Sequence, residues 1–248
     1  MLLPCISFIT ESRINVENKT VYAIILAAGV GSRMGTDSTK QTMLLGGCSV
    51  IARTVGTFYE CECIDGIVVV GRECELDFLE NELLPYSKKI HKIISGGSTR
   101  CESARLGFGA IPPGVTHIAI HDGARPLVTE KIISDVVERA IECGAATDAT
   151  PIYDTVKQID ENGAIVGTLD RKTLVGARTP QAFSAEIYAR ALENTDNCDS
   201  ITDDNMMVEA LGITVVAVVS DTPNPKITVM DDLKYADFLL KEREKANV

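Results

Sequence analysis

The 248 residues are 45% hydrophobic and 24% charged, the make-up of a globular chain long enough to bury a substantial core, and this excludes disordered and fibrous classes. The 35 acidic residues outnumber the 24 basic ones to give a formal charge of -11, the wrong sign for coating nucleic acid or anionic lipid, so a polyanionic ligand has to be met by a local set of cations. No apolar run approaches the roughly 20 residues of a membrane span, and Met1–Ile9 has neither a basic leader nor a clear cleavage site; the expectation is a cytoplasmic protein with no nucleic-acid and no membrane partner.

In chain order, residues 1–20 carry no pattern and read as a tail, and residues 21–248 read as one domain. Short β-branched or apolar runs at Val21–Ala27, Ile67–Val70, His117–Ile120, Ala145–Ile152 and Thr214–Val219 predict strands. Amphipathic stretches at Ser49–Tyr59, Thr99–Gly107, Glu130–Cys143, Ser184–Asn194, Thr202–Leu211 and Met230–Lys245 predict helices. Such alternation implies an α/β fold: a single Rossmann-like domain whose mostly parallel, mixed sheet is flanked by helices. The polar segment Asp154–Gln181 interrupts it. There Asn162-Gly163 stands between two short β-like runs and favours the positive φ of a tight hairpin, so residues 154–181 are expected to form a protruding β-arm. A two-stranded arm is marginal alone and gains from packing on another chain, which predicts a homodimer.

The eight cysteines are scattered and read as free thiols. The spacing of the cysteines and of His91, His117 and His121 completes no zinc-like set.

The chemistry begins where the first strand runs into Ala27-Ala28-Gly29-Val30-Gly31-Ser32-Arg33-Met34-Gly35. Small residues let the backbone approach a ligand, and successive N–H groups at the carboxyl edge of a sheet cradle phosphate. The spacing fits neither G-x-G-x-x-G nor a G-K-[ST] loop. Instead Arg33 and Lys40 supply cations for a triphosphate. Ser95-Gly96-Gly97-Ser98-Thr99-Arg100 opens a helix as a second backbone-exposing turn. Next, His121-Asp122-Gly123-Ala124-Arg125-Pro126 puts a carboxylate just past a strand end. Asp122 either meets a phosphate-bound magnesium ion, which takes few protein oxygens, or caps the turn and pairs with Arg125.

These blocks, with Lys40-Gln41, Asp154-Thr155-x-Lys157, Thr179-Pro180-Gln181, Thr202-Asp203-Asp204 and Lys226-Ile227-Thr228, occur in the order found in the 2-C-methyl-D-erythritol 4-phosphate cytidylyltransferases, which the chain resembles from residue 21 to about 240. The resemblance implies transfer of a cytidylyl group from CTP to a polyol phosphate, 2-C-methyl-D-erythritol 4-phosphate, with release of pyrophosphate and with Mg2+ or another divalent cation as cofactor. It implies nucleotide contacts from Ala27, Ala28, Gly29, Gly31, Gly96, Gly97, Ser103 and Asp122, catalytic cations at Arg33, Lys40, Arg171 and Lys226, and acceptor contacts from Thr155, Arg171, Thr179 and Lys226. Thr155 and Arg171 are expected to reach across from the arm of a neighbouring subunit.

Each of these residues also has a plainer reading: Lys226 as a solvated loop cation, Arg171 as a partner of Asp170 or Asp160, and Thr202 as an N-cap. Thr39, Pro225 and the sequence after Gly97 depart from the family pattern. The sister cytidylyltransferases acting on ribitol 5-phosphate, and a non-catalytic nucleotide-binding module, are the competing readings.

Overall fold

The computed structural model describes residues 19–29 and 41–246. Residues 1–18 of the expected tail 1–20, together with Gly31, Arg33 and Lys40, lie outside the described residues.

The strands are β1 (Val21–Leu26), β2 (Leu44–Leu45), β3 (Cys48–Ser49), β4 (Gly66–Gly71), β5 (Ile90–Ser95), β6 (His117–Asp122), β7 (Ala145–Pro151), β8 (Lys157–Ile159), β9 (Ile165–Thr168), β10 (Val175–Ser184) and β11 (Val216–Val219). The helices are α1 (Val50–Glu60), α2 (Leu76–Glu82), α3 (Arg100–Gly109), α4 (Glu130–Cys143), α5 (Ala185–Glu193), α6 (Asp204–Glu209) and α7 (Met230–Ala246). Seven strands form one sheet in the order β11-β7-β10-β6-β1-β4-β5. All run parallel except β10, which is antiparallel to both neighbours.

The central strands are apolar on both faces because helices cover both. On β1, Ala23 and Ile25 join Ile51, Val55 and Phe58 of α1 and Ile133, Val136 and Val137 of α4. Their alternates Ile24 and Leu26 face Ala104 of α3, Tyr188 of α5 and Met207 of α6. Period-2 alternation in a doubly covered sheet therefore sorts residues between two cores rather than between core and water. Polar N-caps start the helices that approach the carboxyl ends of the strands: Ser49, Thr99, Thr129 and Asp203 each accept a backbone N–H from the first turn.

The chain leaves β1 toward β4 on one side, and β6 returns to its other side. That reversal opens a crevice at the carboxyl ends of β1, β4 and β6, where ligands of open α/β sheets bind.

Several expectations are corrected. The arm is shorter than residues 154–181: β8 and β9 form the hairpin, whereas β10 enters the sheet and buries Arg178 through Phe183. Polar side chains at 178, 179 and 181 disguise an interior strand because each has a buried polar partner. Between Ile159 and Ile165 the turn spans five residues rather than two. Gly163 alone takes a positive φ (+81°), and the Asp160 carboxylate accepts from the N–H groups of Asn162 and Ala164. The helix expected over Thr202–Leu211 is limited to Asp204–Glu209, with Asp203 rather than Thr202 as its N-cap. Cys101 and Cys198 are disulfide-bonded instead of free. The two lie on α3 and on the loop before α6, which pack side by side.

Candidate active site

An open cleft of about 420 Å³ occupies the crevice, lined by Ala28 and Gly29 after β1, the Ser95–Arg100 turn, Ser103, Asp122, Ala124 and Lys226. The glycine turn is shaped by contact: a Cβ on Gly96 would lie 2.5 Å from Ala28 Cβ and 2.8 Å from Ser103 Oγ. Ser103 Oγ accepts from Gly97 N (3.1 Å) and donates to the Thr99 carbonyl (2.9 Å). A capping box completes the turn. In it, one Glu102 carboxylate oxygen accepts from Ser98 N, Ser98 Oγ and Thr99 N at 2.7, 2.6 and 3.3 Å. Ala27 is buried, and its N–H donates to the Val70 carbonyl at 2.7 Å. It holds β1 to β4 beneath the cleft, and Ala28 and Gly29 form the surface above.

At the other wall Asp122 is the centre of a charge cluster. Its carboxylate lies 2.9 Å from Lys226 Nζ, 3.4 Å from Arg100 Nε and 3.5 Å from Arg125 Nε. Burial works to raise the Asp122 carboxyl, and the charges of Arg100, Lys226 and Arg125 outweigh it and hold the group well below the usual carboxylate range. Arg100 also donates to the fully buried Asp204 at 2.6 Å, and Asp204 accepts from the Tyr188 hydroxyl at 2.7 Å. Three cations thus share two carboxylates. This gives a local positive excess on a chain of net charge -11, the condition for receiving a polyanion here.

Beneath Asp122 lies a neutral support. The Thr179 hydroxyl accepts from Asp122 N (3.1 Å) and stands 3.1 Å from His121 Nδ1, while His121 Nε2 stands 3.3 Å from the Arg125 carbonyl. A carbonyl only accepts, so Nε2 carries the proton and Nδ1 accepts from Thr179. Burial drives the His121 pKa down to about 3, which keeps the ring neutral.

Of the expected site residues, Ala28, Gly29, Gly96, Gly97, Ser103, Asp122 and Lys226 therefore meet around one cleft, and Lys226 is paired rather than merely solvated. Thr179 is buried under the cleft with its hydroxyl engaged. Thr155 and Arg171 are exposed on and beside the arm, away from the cleft of their own chain. The Arg171 guanidinium donates to the Tyr153 carbonyl. Neither Asp170 nor Asp160 is its partner, since both hold turn N–H groups. Among the described residues no group of three or more His, Cys, Asp or Glu side chains is placed to hold a metal; Asp122 stands as a single carboxylate.

Sequence reasoning gave no role to Arg100 or Asp204, although both lie in the motifs singled out. The signal available was the pairing of an arginine after one backbone-exposing turn with an acid at a helix start. Only the fold brings the two, 104 positions apart, together.

The model of one protein family, 2-C-methyl-D-erythritol 4-phosphate cytidylyltransferase, matches residues 21–242. The chain belongs to this family. It is 40% identical to the 2-C-methyl-D-erythritol 4-phosphate cytidylyltransferase of Syntrophus aciditrophicus over 227 residues, which covers 90% of this chain and 97% of the relative. It is 39% identical to the cytidylyltransferase of the same name from Geobacter metallireducens, covering 90% and 98%. Among solved structures it is similar to the 4-diphosphocytidyl-2C-methyl-D-erythritol synthase of Anaerococcus prevotii, with a TM-score of 0.81, 29% identity, and coverage of 91% of this chain and 98% of that one. The cytidylyltransferase fold is thus common to both.

Proposed function

We propose that the chain transfers the cytidylyl group of CTP to 2-C-methyl-D-erythritol 4-phosphate, giving 4-diphosphocytidyl-2-C-methyl-D-erythritol and pyrophosphate for isoprenoid biosynthesis, and that it does so as a homodimer. The observation that carries this reading is the cation cluster of Lys226, Arg100 and Arg125 around Asp122, opposite a glycine turn in the same cleft.

The acceptor's phosphate monoester has a second pKa near 6, so a dianion is ready to attack the α-phosphorus of CTP and no general base is required. In keeping with this, the buried, neutral His121 is committed to Thr179 and Arg125. The difficulty is electrostatic: two anions must be aligned in line, and charge grows on the departing pyrophosphate. The Gly96-Gly97 turn seats the nucleoside side of CTP. Lys226, released in part from Asp122, binds the acceptor phosphate, and Arg33 and Lys40 neutralise the triphosphate.

A single ionised carboxylate fits magnesium, which takes one or two protein carboxylates and fills its shell with phosphate oxygens and water. Asp122 would be that ligand. When bound, the ion neutralises charge on the leaving pyrophosphate.

The dimer reading rests on the arm. Ile159, Ile165 and Val166 are about 60% exposed (61, 66 and 59%) and Tyr153 is 70% exposed, an apolar surface that a second copy covers. The same docking brings Thr155 and Arg171 of one subunit to the acceptor site of the other.

Pyrophosphate release with magnesium, CTP and either methylerythritol 4-phosphate or ribitol 5-phosphate tests the proposal. Turnover with the first acceptor is expected. Turnover with ribitol 5-phosphate alone overturns the substrate, and CTP binding without turnover on either acceptor favours the non-catalytic module.

A further inference from the structure

The loop from Ser220 to Lys226 has no regular secondary structure, and its Pro223 and Pro225 lack N–H groups. It is held instead by its carbonyls. Arg178 donates to the carbonyls of Ser220 and Thr222 (both 3.1 Å), Arg243 to that of Pro223 (2.6 Å), and Arg125 to that of Asn224 (2.8 Å). Arg178 is in turn fixed by Asp148 of β7 at 2.9 Å, a carboxylate with no solvent exposure. The second Asp148 oxygen accepts from Asn224 Nδ2 at 3.0 Å, and the same amide group reaches the Thr179 carbonyl at 2.9 Å.

Arg178 is turned inward where the β10–β7 register shifts between Ala177 and Gln181. A buried ion pair of this kind is weak evidence of stabilisation, since well-packed apolar residues often replace one at no cost. Beyond the pair itself, one Arg178 hydrogen bond stays in the sheet, to the Ala149 carbonyl at 3.1 Å, and its others lead to the loop. Lys226 follows Asn224 by two residues, and Ile227 N donates to the Ala124 carbonyl at 2.8 Å. The loop thus ends beside Asp122 with its cation already aimed.

We infer that Asp148 and Arg178 are positioning residues: their buried pair, bridged by Asn224, holds the Ser220–Lys226 loop so that the Lys226 ammonium stands on Asp122 at the cleft. The inference rests on the proposed role of Lys226 toward the acceptor phosphate. It gives a function to polar side chains that the sheet interior would otherwise not require, and it ties the loop to β10, the strand entered directly from the arm.

The test is the full-length double variant D148L/R178L, which removes the pair without leaving an unpaired buried charge. Its fold is checked by thermal unfolding. Three results are expected. Acceptor kcat/KM falls roughly 10- to 100-fold with CTP KM within about twofold, the scale of a misplaced site group. In a Lys226→Met background the same double change costs less than about twofold, because residues acting as one unit are not additive. Amide hydrogen exchange at Ile227, whose N–H donates to the Ala124 carbonyl, accelerates at least about tenfold.

Equal fold losses in both backgrounds, or unchanged exchange in a folded variant, overturn the inference. If D148L/R178L fails to fold, Asn224→Ala, which leaves the ion pair in place, is read by the same three measurements. Should the wild-type chain transfer nothing to any acceptor, the reading of function fails, while hydrogen exchange still decides whether the pair holds the loop.

Discussion

Replacing Lys226 by methionine separates the energetics of the fold from those of the reaction. Methionine keeps most of the stem and removes the ammonium that stands 2.9 Å from Asp122. Asp122 keeps Arg100 and Arg125 at 3.4 and 3.5 Å, so its charge is not left unpaired. The lysine side chain is 35% exposed and that of Asp122 10%, so the pair is half-buried; with Arg100 and Arg125 still on Asp122, its loss costs about 1 kcal/mol, the upper end for exposed pairs, and at about 2–4 °C per kcal/mol for a chain of this size the melting temperature falls by a few degrees at most. Loss of a charge-assisted donor that acts in the transition state costs about 2.7–4 kcal/mol, or roughly 10²–10³ in kcat. Melting curves set beside steady-state pyrophosphate release, with each substrate varied in turn, measure both. An acceptor kcat/KM within about threefold of wild type refutes the role of Lys226. A melting temperature that collapses in step with activity refutes the separation.

Three other outcomes follow from the geometry. Gly96→Ala places a Cβ 2.5 Å from Ala28 Cβ and 2.8 Å from Ser103 Oγ; relieving such overpacking costs about 1–3 kcal/mol and distorts the turn, so CTP binding by calorimetry weakens, and unchanged affinity contradicts the placement of the nucleotide. Glu102 is held below the ordinary glutamate value, first by the Ser98 hydroxyl and then by the Ser98 and Thr99 N–H groups. Its contribution to stability is therefore complete above the ordinary value of about 4.3 and fades as the pH falls below it. Glu102→Gln flattens that acid limb in denaturant titrations, and an identical limb in the variant would show that the turn does not depend on the carboxylate. Finally, Arg171→Ala and Lys226→Met chains, each nearly inactive alone, regain about a quarter of wild-type activity when refolded as an equal mixture. Half the dimers are then mixed, and each mixed dimer has one intact site; no recovery argues against a site shared between subunits.

Most helices and parallel strands were legible because apolar periodicity and polar caps act locally, whereas the short helix α2 and the edge strand β5 were not among the expected elements. Gly96, Gly97 and Thr99 announce a backbone-exposing turn within a few residues. What stayed hidden depends on partners far away in sequence. β10 reads as polar because Arg178, Thr179 and Gln181 are paired with Asp148, Asp122 and Asp203 across the interior, and a polar run with buried partners has the same pattern as an exposed one. Arg100 and Asp204 likewise gain their role only when α3 and α6 pack side by side. The Cys101–Cys198 pairing is set by that packing and not by spacing, which is 97 residues. Asp122 and Lys226 were legible as charged groups at a strand end and a loop, while their contact with each other was not.

The most direct test follows the transferred atom. With CTP labelled at the α-phosphorus, magnesium and methylerythritol 4-phosphate, the account predicts that the label enters a diphosphate ester of the acceptor while unlabelled pyrophosphate is released. Label that remains in CTP, or that leaves as free CMP without joining the acceptor, would contradict cytidylyl transfer as the chemistry of this cleft.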